Sequence, residues 1–330
     1  MSFKQIKGQP KAVSALTTAI ISRRLSHAYL FTGIDGIGKR TTALELAKAV
    51  NCTHPVAGDS CGTCQSCGKI EAGLHPDVRM IEPNEGANNI KIEQIREIKR
   101  WMRFRPNEGH YRVTIIPGYY PLTDEAANAL LKTLEEPPQD NILVLTAVDR
   151  KKVLATIASR CQQIPFNPLS ETLVAEFIAE KYKLDYDQAR LSALMASGSL
   201  KWAGIFAKAD FFRLREDFVA LMSRQGRTEL SRVFSLSKRL SQLKEDLNDF
   251  FYLMKLLYRD ELILASDGAS TGVTNFDHLE VLQELARDEP GLLIFDKLDR
   301  INRAERAILR NANRQLTLDT LLIRLLATPQ

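Results

Sequence analysis

The chain has 330 residues, of which 45% are hydrophobic and 26% are charged. This composition is typical of a globular protein with two or three domains. Its 45 basic and 40 acidic residues give a net charge of +5, which permits contact with nucleic acid without arguing for it. No apolar run approaches the roughly 18 residues of a membrane span, and the N-terminus lacks a secretory pattern. We therefore expect a cytoplasmic protein with no membrane partner.

The first half of the chain alternates strand-like apolar runs with helical patterns. Strands are predicted at residues 28–32, 77–81, 113–116, 142–146 and 162–166. Helices are predicted between them, most clearly at 92–102 and 126–134. Because alternating strands and helices form a largely parallel sheet covered on both faces, the fold class expected here is α/β.

Two prolines, Pro165 and Pro168, mark the end of this α/β region, and the strand signals stop beyond them. Helices follow, with a turn at Gly198 and Ser199 and a last helix that we expect to begin after an N-cap at Thr317. One predicted helical face is apolar: Leu243, Leu247, Phe250, Met254 and Leu257. The predicted domains are an α/β domain at 1–167, a small helical domain at 168–208 and an all-helical domain at 209–330.

A glycine-rich segment at residues 33–39 lies between the first predicted strand and a helix. In a phosphate-binding loop, backbone N–H groups and a helix N-terminus hold the phosphates, and a lysine adds charge. The candidate residues are Gly33, Gly36, Gly38, Lys39 and Thr41. A complete loop has Ser or Thr directly after the lysine as a Mg²⁺ ligand, but Arg40 stands there and Thr41 comes one place late. The motif indicates descent from a nucleotide-binding loop and leaves open whether ATP still binds.

The strand predicted at 113–116 ends in Pro117 and Gly118. In a nucleotide hydrolase such a strand usually ends in acids that serve the Mg²⁺ shell and the attacking water. Neither residue can do this, so we expect no hydrolysis by this chain. The alternative is an active ATPase in which Asp124 and Glu125, six and seven positions beyond Gly118, replace the missing acids.

Four of the five cysteines are clustered: Cys52, Cys61, Cys64 and Cys67. Two overlapping Cys-x-x-Cys steps and one distant cysteine can close a tetrahedron of thiolates around a single ion. Since no export signal is present, the pattern favours structural Zn²⁺ over disulfides or unligated thiols. His54 and His75 could substitute as ligands, but neither is needed. A DNA-reading zinc finger is rejected as the primary function, because residues 53–66 contain no Lys or Arg.

Basic side chains concentrate around Trp101: Arg96, Lys99, Arg100, Arg103 and Arg105. Direct contact with DNA phosphates fits this cluster, and so does a solvated helical face, which is the more frequent explanation. Further along, the helix predicted at 126–134 is followed by Glu135 and Glu136. Acids at the C-terminal end of a helix oppose its dipole, which hints at a partner outside the helix.

Several segments together resemble the bacterial clamp-loader subunits of the AAA+ family: Gly8 and Gln9, residues 26–33, the four cysteines, residues 128–138, and Ser159-Arg160-Cys161. The resemblance runs from Phe3 to Leu326 and is tightest up to Phe166. It implies an AAA+ parallel-sheet domain with a zinc-binding insertion at about 50–70, a helical lid and an all-α collar. It also implies a subunit of the DNA polymerase III holoenzyme, in a pentameric ring of delta, tau/gamma and delta-prime subunits that loads the sliding clamp onto primer-template DNA.

Within this family, the departures from the hydrolysing pattern resemble the delta-prime type of subunit. They are Arg40, the pair Pro117 and Gly118, the pair Ala147 and Val148 where the active type has sensor threonines, and Lys201 where the lid has arginine. The resemblance then implies a non-hydrolysing stator whose Arg160 is an arginine finger for a neighbouring tau/gamma subunit. An ATP-hydrolysing tau/gamma type is the alternative.

Overall fold

The protein is described by a computed structural model that covers residues 2–84, 87, 89–118, 122–223, 230–243, 247–267 and 271–326. The chain divides into two compact units, Met1–Leu173 and Val174–Gln330. The further division of the second unit at residue 208 stays a prediction. Among the described residues, no helix combines the length and apolar character needed to cross a bilayer.

The first unit is built on a five-stranded parallel sheet. Its strands are β1 (Ala28–Thr32), β2 (Val78–Met80), β3 (Arg112–Ile116), β4 (Asn141–Ala147) and β5 (Gln162–Pro165). They lie in the order β2-β3-β4-β1-β5, and every neighbouring pair is parallel. Both β3 and β4 are buried along their whole length, as central strands covered on two faces must be. The predicted α/β fold with a parallel sheet is confirmed.

Helices cover both faces of this sheet. They are α1 (Pro10–Ile21), α2 (Lys39–Asn51), α3 (Gln65–Glu71), α4 (Ile92–Met102), α5 (Asp124–Glu135) and α6 (Ala155–Ala158). Because successive strand residues point to opposite faces, Tyr29 and Phe31 pack into one core with α1 and α2. Leu30 packs into the other core with α4, α5 and α6. The loops at the carboxyl ends of β1, β3 and β4 therefore meet along one edge of the sheet.

The second unit is helical throughout its described part, and α7 (Glu171–Tyr182) crosses the boundary into it. The helices that follow are α8 (Tyr186–Met195), α9 (Leu200–Phe206), α10 (Ala209–Met222), α11 (Leu230–Gln242), α12 (Leu247–Asp267), α13 (Leu279–Asp288), α14 (Gly291–Leu309) and α15 (Arg314–Leu326). The predicted turn before α9 is confirmed: the Trp202 N–H donates to the Ser199 hydroxyl at 3.2 Å. A helical C-terminal region was expected and is present.

Two details of the helical prediction are wrong. Helix α12 begins at Leu247, so Leu243 lies before it, although the other four residues of the predicted face are buried. Helix α15 begins at Arg314, which places Thr317 inside the helix rather than at its N-cap. Asn313 caps this helix instead, since its side-chain oxygen accepts from the Leu316 N–H at 3.1 Å. Asn ranks above Thr as an N-cap, which accounts for the earlier start.

Aromatic rings join the two parts into which the second unit was predicted to divide. The ring of Trp202 in α9 stacks on Tyr252 in α12, with centroids 4.4 Å apart. Phe206, which is fully buried, lies 4.9 Å from the ring of Phe211 in α10. A chain cut near residue 208 would therefore expose a shared aromatic core.

Candidate functional site

The glycine-rich loop has the geometry of a strand-to-helix phosphate loop. It leaves β1 at Gly33, whose φ is +146° and where a Cβ would lie 2.5 Å from the carbonyl oxygen of Phe166. It ends at Gly38, the N-cap of α2, with a left-handed φ of +97°. Only glycine adopts these conformations without strain, so these two glycines determine the backbone conformation of the loop. The predicted residues Gly33, Gly36, Gly38 and Lys39 are brought together between β1 and α2.

Lys39 is folded back onto its own loop and is only 7% exposed. Its ammonium group donates to the carbonyl oxygens of Gly33 and Ile34, the latter at 2.7 Å, and lies 3.6 Å from the Asp35 carboxylate. Burial lowers the pKa of Lys39, and the Asp35 charge partly offsets this. To hold a phosphate the lysine would have to exchange these carbonyls for phosphate oxygens.

The position that should carry the Mg²⁺-binding hydroxyl is occupied by a paired arginine. The Arg40 guanidinium lies 3.5 Å from the Glu82 carboxylate, and both side chains are about half exposed. Thr41 lies in the first turn of α2 and is half-buried, one position beyond the required site. The loop therefore keeps its backbone donors and lysine but presents no hydroxyl at the usual Mg²⁺ position.

In the motif of Gly8 and Gln9, the Gln9 side chain has a structural role. Its buried side chain donates to the carbonyl oxygen of Asn167 at 2.7 Å and accepts from the Asn167 N–H at 3.1 Å. A longer contact of 3.4 Å reaches the carbonyl oxygen of Ile37 in the phosphate loop. Gln9 thus ties the loop to the segment that follows β5.

The carboxyl end of β3 is closed to an acidic side chain at residue 118. The Gly118 N–H donates to the Thr146 hydroxyl at 2.9 Å. A Cβ at this glycine would lie 1.7 Å from the carbonyl oxygen of Thr146, so any other residue requires the β4 backbone to move. The sequence shows that the usual acid is absent from this strand end. The close approach of Gly118 to Thr146 was not predicted, because it depends on strand pairing.

The neighbouring end of β4 also lacks hydroxyls at the sensor positions. Ala147 contributes only its carbonyl oxygen, which accepts from the Gly33 N–H at 3.1 Å, and Val148 is half-buried. Lys201, at the position noted in the second unit, lies over the ring of Trp202 at 5.8 Å.

Asp124 and Glu125, the alternative acids, lie exposed in the first turn of α5. Acids in the first turn of a helix stabilise its dipole, which is a sufficient structural reason for both. Asp124 also lines a cavity of about 360 Å³ at the ends of β3 and β4, together with Gly118 and Ala147. It is therefore the acid on which an active-ATPase alternative depends.

The four clustered cysteines converge at one point between α2 and α3. Their Sγ atoms all lie within 4.8 Å of one another, and those of Cys52 and Cys64 are 3.9 Å apart. A tetrahedral ion with bonds of about 2.3 Å to sulfur requires sulfur atoms about 3.8 Å apart. The cluster could therefore hold one metal ion with four thiolate ligands and no open position.

The two candidate histidines make other contacts. His75 is buried, accepts from the Asp77 N–H at 3.1 Å and lies 3.2 Å from the Ser66 hydroxyl. His54 contacts the Thr53 hydroxyl at 2.9 Å. In the described part of the chain, the metal-ligand cluster at this point consists of cysteines alone.

The cysteine pKa values are shifted in opposite directions. Burial opposes ionisation of Cys64, but hydrogen bonds from Thr53 and the Cys67 backbone lower its pKa to about 5. Burial raises the pKa of Cys67 to about 12. An ion bound by all four sulfurs would therefore displace protons, as metals do when they bind thiols.

Arg160 follows the short helix α6 and precedes β5. Cys161 is buried beside it in the sheet core, where burial raises its pKa to about 11. The Arg160 guanidinium, by contrast, is partly exposed; it lies 2.8 Å from the Glu135 carboxylate and donates to the Thr156 carbonyl at 2.9 Å. Glu135 is the last residue of α5. The partner outside the helix that its position suggested is this arginine of the same chain.

Trp101 of α4 contacts cations from two strands of the sheet. The cations that stack on Trp101 are Arg79 and Arg112, at 4.9 and 4.6 Å from the ring centroid. Arg100, Arg103 and Arg105 are exposed, and Lys99 is half-buried. Lys99 lines a groove of about 470 Å³ between α4 and α5 with Arg96 and Lys132. A solvated helical face stays the more frequent explanation of this cluster, with DNA contact as its alternative.

Known families account for both units. A family model described as "DNA polymerase III, delta subunit" matches residues 8–170, and one described as "DNA polymerase III, delta subunit, C terminal" matches residues 210–326. The chain belongs to the DNA polymerase III clamp-loader family. The family resemblance that the sequence motifs carry is confirmed.

Curated relatives include both subunit types of this family. The chain is 35% identical to DNA polymerase III subunit delta' of Bacillus subtilis over 222 residues, 67% of this chain and 66% of that protein. It is 29% identical to the tau subunit of B. subtilis over 326 residues, 92% of this chain and 57% of the relative. It is 37% identical to the tau/gamma subunit of Haemophilus influenzae over 178 residues, 54% of this chain and 25% of the relative. The chain thus covers less than two thirds of each of these clamp-loader relatives.

A solved structure of a DNA polymerase III gamma subunit-related protein from Thermotoga maritima covers 94% of this chain and 98% of its own, at 22% identity and a TM-score of 0.48. Relatives of the delta-prime and tau/gamma types both match the chain. The choice between the two types therefore depends on the residues of the site.

Proposed function

We propose that this clamp-loader subunit is of the delta-prime type, a stator that does not hydrolyse ATP. The observation that carries the proposal is the contact at the end of β3, where a Cβ on Gly118 would lie 1.7 Å from the Thr146 carbonyl oxygen. A hydrolase needs an acid near this point. Pro117 and Gly118 supply none, and the backbone leaves no room for a side chain at residue 118.

The phosphate loop supports the same proposal, because it lacks the usual hydroxyl ligand for Mg²⁺. Arg40 pairs with Glu82 where a hydroxyl would hold the ion, and Thr41 is one position late. Backbone N–H groups and Lys39 survive, so ATP binding without hydrolysis is compatible with the loop. Nucleotide would then stabilise the first unit without being turned over.

The four-cysteine cluster is proposed to hold structural Zn²⁺. Four thiolates at tetrahedral spacing are a donor set that suits zinc, and a closed set leaves no position for a substrate. The ion would link the end of α2 to the start of α3, because Cys52 caps the first helix and Cys64 precedes the second.

Arg160 is proposed to act in trans on the ATP of a neighbouring tau/gamma subunit. Its guanidinium is partly exposed, next to β5 and outside the chain's own phosphate loop. A planar guanidinium can donate two parallel hydrogen bonds to phosphoryl oxygens, and an arginine supplied in trans typically accelerates phosphoryl transfer by about 10³–10⁵-fold. The partners of this proposal are tau/gamma and delta subunits in a pentameric ring, and through it the sliding clamp and primer-template DNA.

The second unit is proposed to supply the collar contacts of that ring. Large apolar side chains are exposed on α14 and α15: Leu292, Phe295, Leu309, Leu316 and Ile323. Exposed apolar side chains grouped on neighbouring helices often mark a protein interface. We call these five residues the collar face.

An assay of the purified chain alone tests the non-hydrolysing role. We expect no ATP turnover above background, and weak ATP binding that Lys39→Ala abolishes, because that variant removes the only lysine of the loop. The alternative, a tau/gamma-type ATPase, is favoured by Asp124, which lines the cavity beside Gly118. Turnover lost in both Lys39→Ala and Asp124→Asn would establish the alternative and exclude the stator.

A further inference from the structure

The guanidinium of Arg160 is held by acceptors on two different elements. Its Nη2 lies 2.8 Å from the Glu135 Oε1 at the end of α5, and its Nη1 donates to the Thr156 carbonyl in α6 at 2.9 Å. The two side chains are 36% and 49% exposed. The guanidinium is therefore oriented by its own chain and still reachable from outside.

A glutamate at residue 135 does not stabilise α5, and it contributes little to the stability of the fold. The carboxylate lies at the C-terminal end of α5, where negative charge opposes the helix dipole. Ion pairs between partly exposed side chains contribute little to folding stability, because water screens them and ordering them costs entropy. The contacts that the structure shows are geometric: Glu135 meets Nη2, and the Thr156 carbonyl and, at 3.5 Å, the Ser159 hydroxyl meet Nη1.

From this geometry we infer that Glu135 is a positioning residue for Arg160 in the trans reaction, an inference that rests on the arginine role proposed above. A guanidinium has five N–H donors in one plane. Glu135 and Thr156 engage Nη2 and Nη1, while among the described contacts Nε makes no hydrogen bond. The guanidinium edge that includes Nε is thus available to phosphoryl oxygens of the ATP bound by the neighbouring subunit. Donors that are oriented in advance need no reorganisation in the transition state.

The test uses the clamp loader assembled from this chain with its tau/gamma and delta subunits. The kcat and the KM for ATP are measured with DNA and clamp present. Glu135→Ala should lower kcat by most of the loss that Arg160→Ala causes, with KM unchanged, because the neighbouring subunit binds the ATP. Glu135→Gln keeps an oxygen acceptor at the same length and should restore most of the rate.

Glu136→Ala is the matched control. Glu136 is the adjacent exposed acid, and the carboxylate that pairs with Arg160 is that of Glu135. We expect wild-type kcat from this variant. Melting temperatures of all variants should agree, which separates positioning from a structural role.

A double variant decides how Glu135 acts. If it works through the guanidinium, Glu135→Ala should change nothing further in an Arg160→Ala background. An unchanged or increased kcat in Glu135→Ala, with Arg160→Ala still impaired, overturns the positioning role and leaves the arginine role standing. A full rate in Arg160→Ala overturns both.

Discussion

At the scale of single residues, Gly118 determines what the end of β3 can carry. Its N–H donates to the Thr146 hydroxyl, and the β4 backbone occupies the space where a side chain would begin. An acid restored by substitution at this position would displace the strand that it is meant to serve. The proposed absence of hydrolysis would therefore rest on the packing of β3 against β4 as well as on the identity of one residue.

Gly118→Ala should lower the free energy of unfolding by about 1–3 kcal/mol, the usual cost of forcing extra atoms into a packed site. Urea denaturation measures this. Gly68→Ala is the control, because a Cβ there meets no atom within 4 Å and Gly68 lies in a helix. That variant should be neutral or slightly stabilising. Equal stability of the two variants would show that β4 yields easily at this point.

The sequence places the candidate residues of each motif close together along the chain, but it does not identify their partners from distant segments. The phosphate loop and the cysteine cluster depend on residue types at short spacings, and the structure brings both sets together. The pairing of Arg160 with Glu135 joins residues from two helical ends, 25 positions apart in the chain. The only sequence signal was an acid placed against a helix dipole, which shows that a partner is needed without identifying it.

At the scale of elements, the parallel sheet was predictable because its central strands are continuous apolar runs. All five strands lie within two residues of their predicted bounds. Helix ends were less predictable, as α15 shows, because Asn313 and Thr317 are both acceptable caps and packing selects between them. The aromatic stack between Trp202 and Tyr252 spans 50 positions, so no local pattern could reveal it.

The elements around the cysteines give a test of the metal proposal. Purified protein should contain about one equivalent of zinc, since four thiolates form one closed site. Cys61→Ser should lose the metal and lower the melting temperature, because the ion would hold α2 and α3 together. Elemental analysis and thermal denaturation measure both effects.

Cys161→Ser is the matched control for zinc content, since Cys161 is the remaining cysteine and lies in the sheet core. It should keep its zinc. A well-folded wild-type protein without zinc would refute the metal site.

At the scale of the whole molecule, the second unit should determine assembly. Phe295→Asp combined with Leu316→Asp on the collar face should prevent co-elution with tau/gamma and delta subunits, because charges would enter an apolar interface. The stability of the chain alone should change by less than about 0.5 kcal/mol, as is usual for exposed positions. Leu74→Asp, at a leucine of the first unit that is also exposed, should assemble normally. Normal assembly of the double variant would place the interface elsewhere.

We propose that this chain catalyses nothing alone and completes the ATP site of a neighbour through Arg160. The most direct test of this proposal is the DNA- and clamp-stimulated ATPase rate of an assembled clamp loader that carries Arg160→Ala. We predict a folded, fully assembled complex whose total ATPase rate falls by the contribution of one ATP site. Arg160→Lys should not restore the rate, since a point charge cannot replace the planar guanidinium. An intact complex with an unchanged ATPase rate would contradict the account.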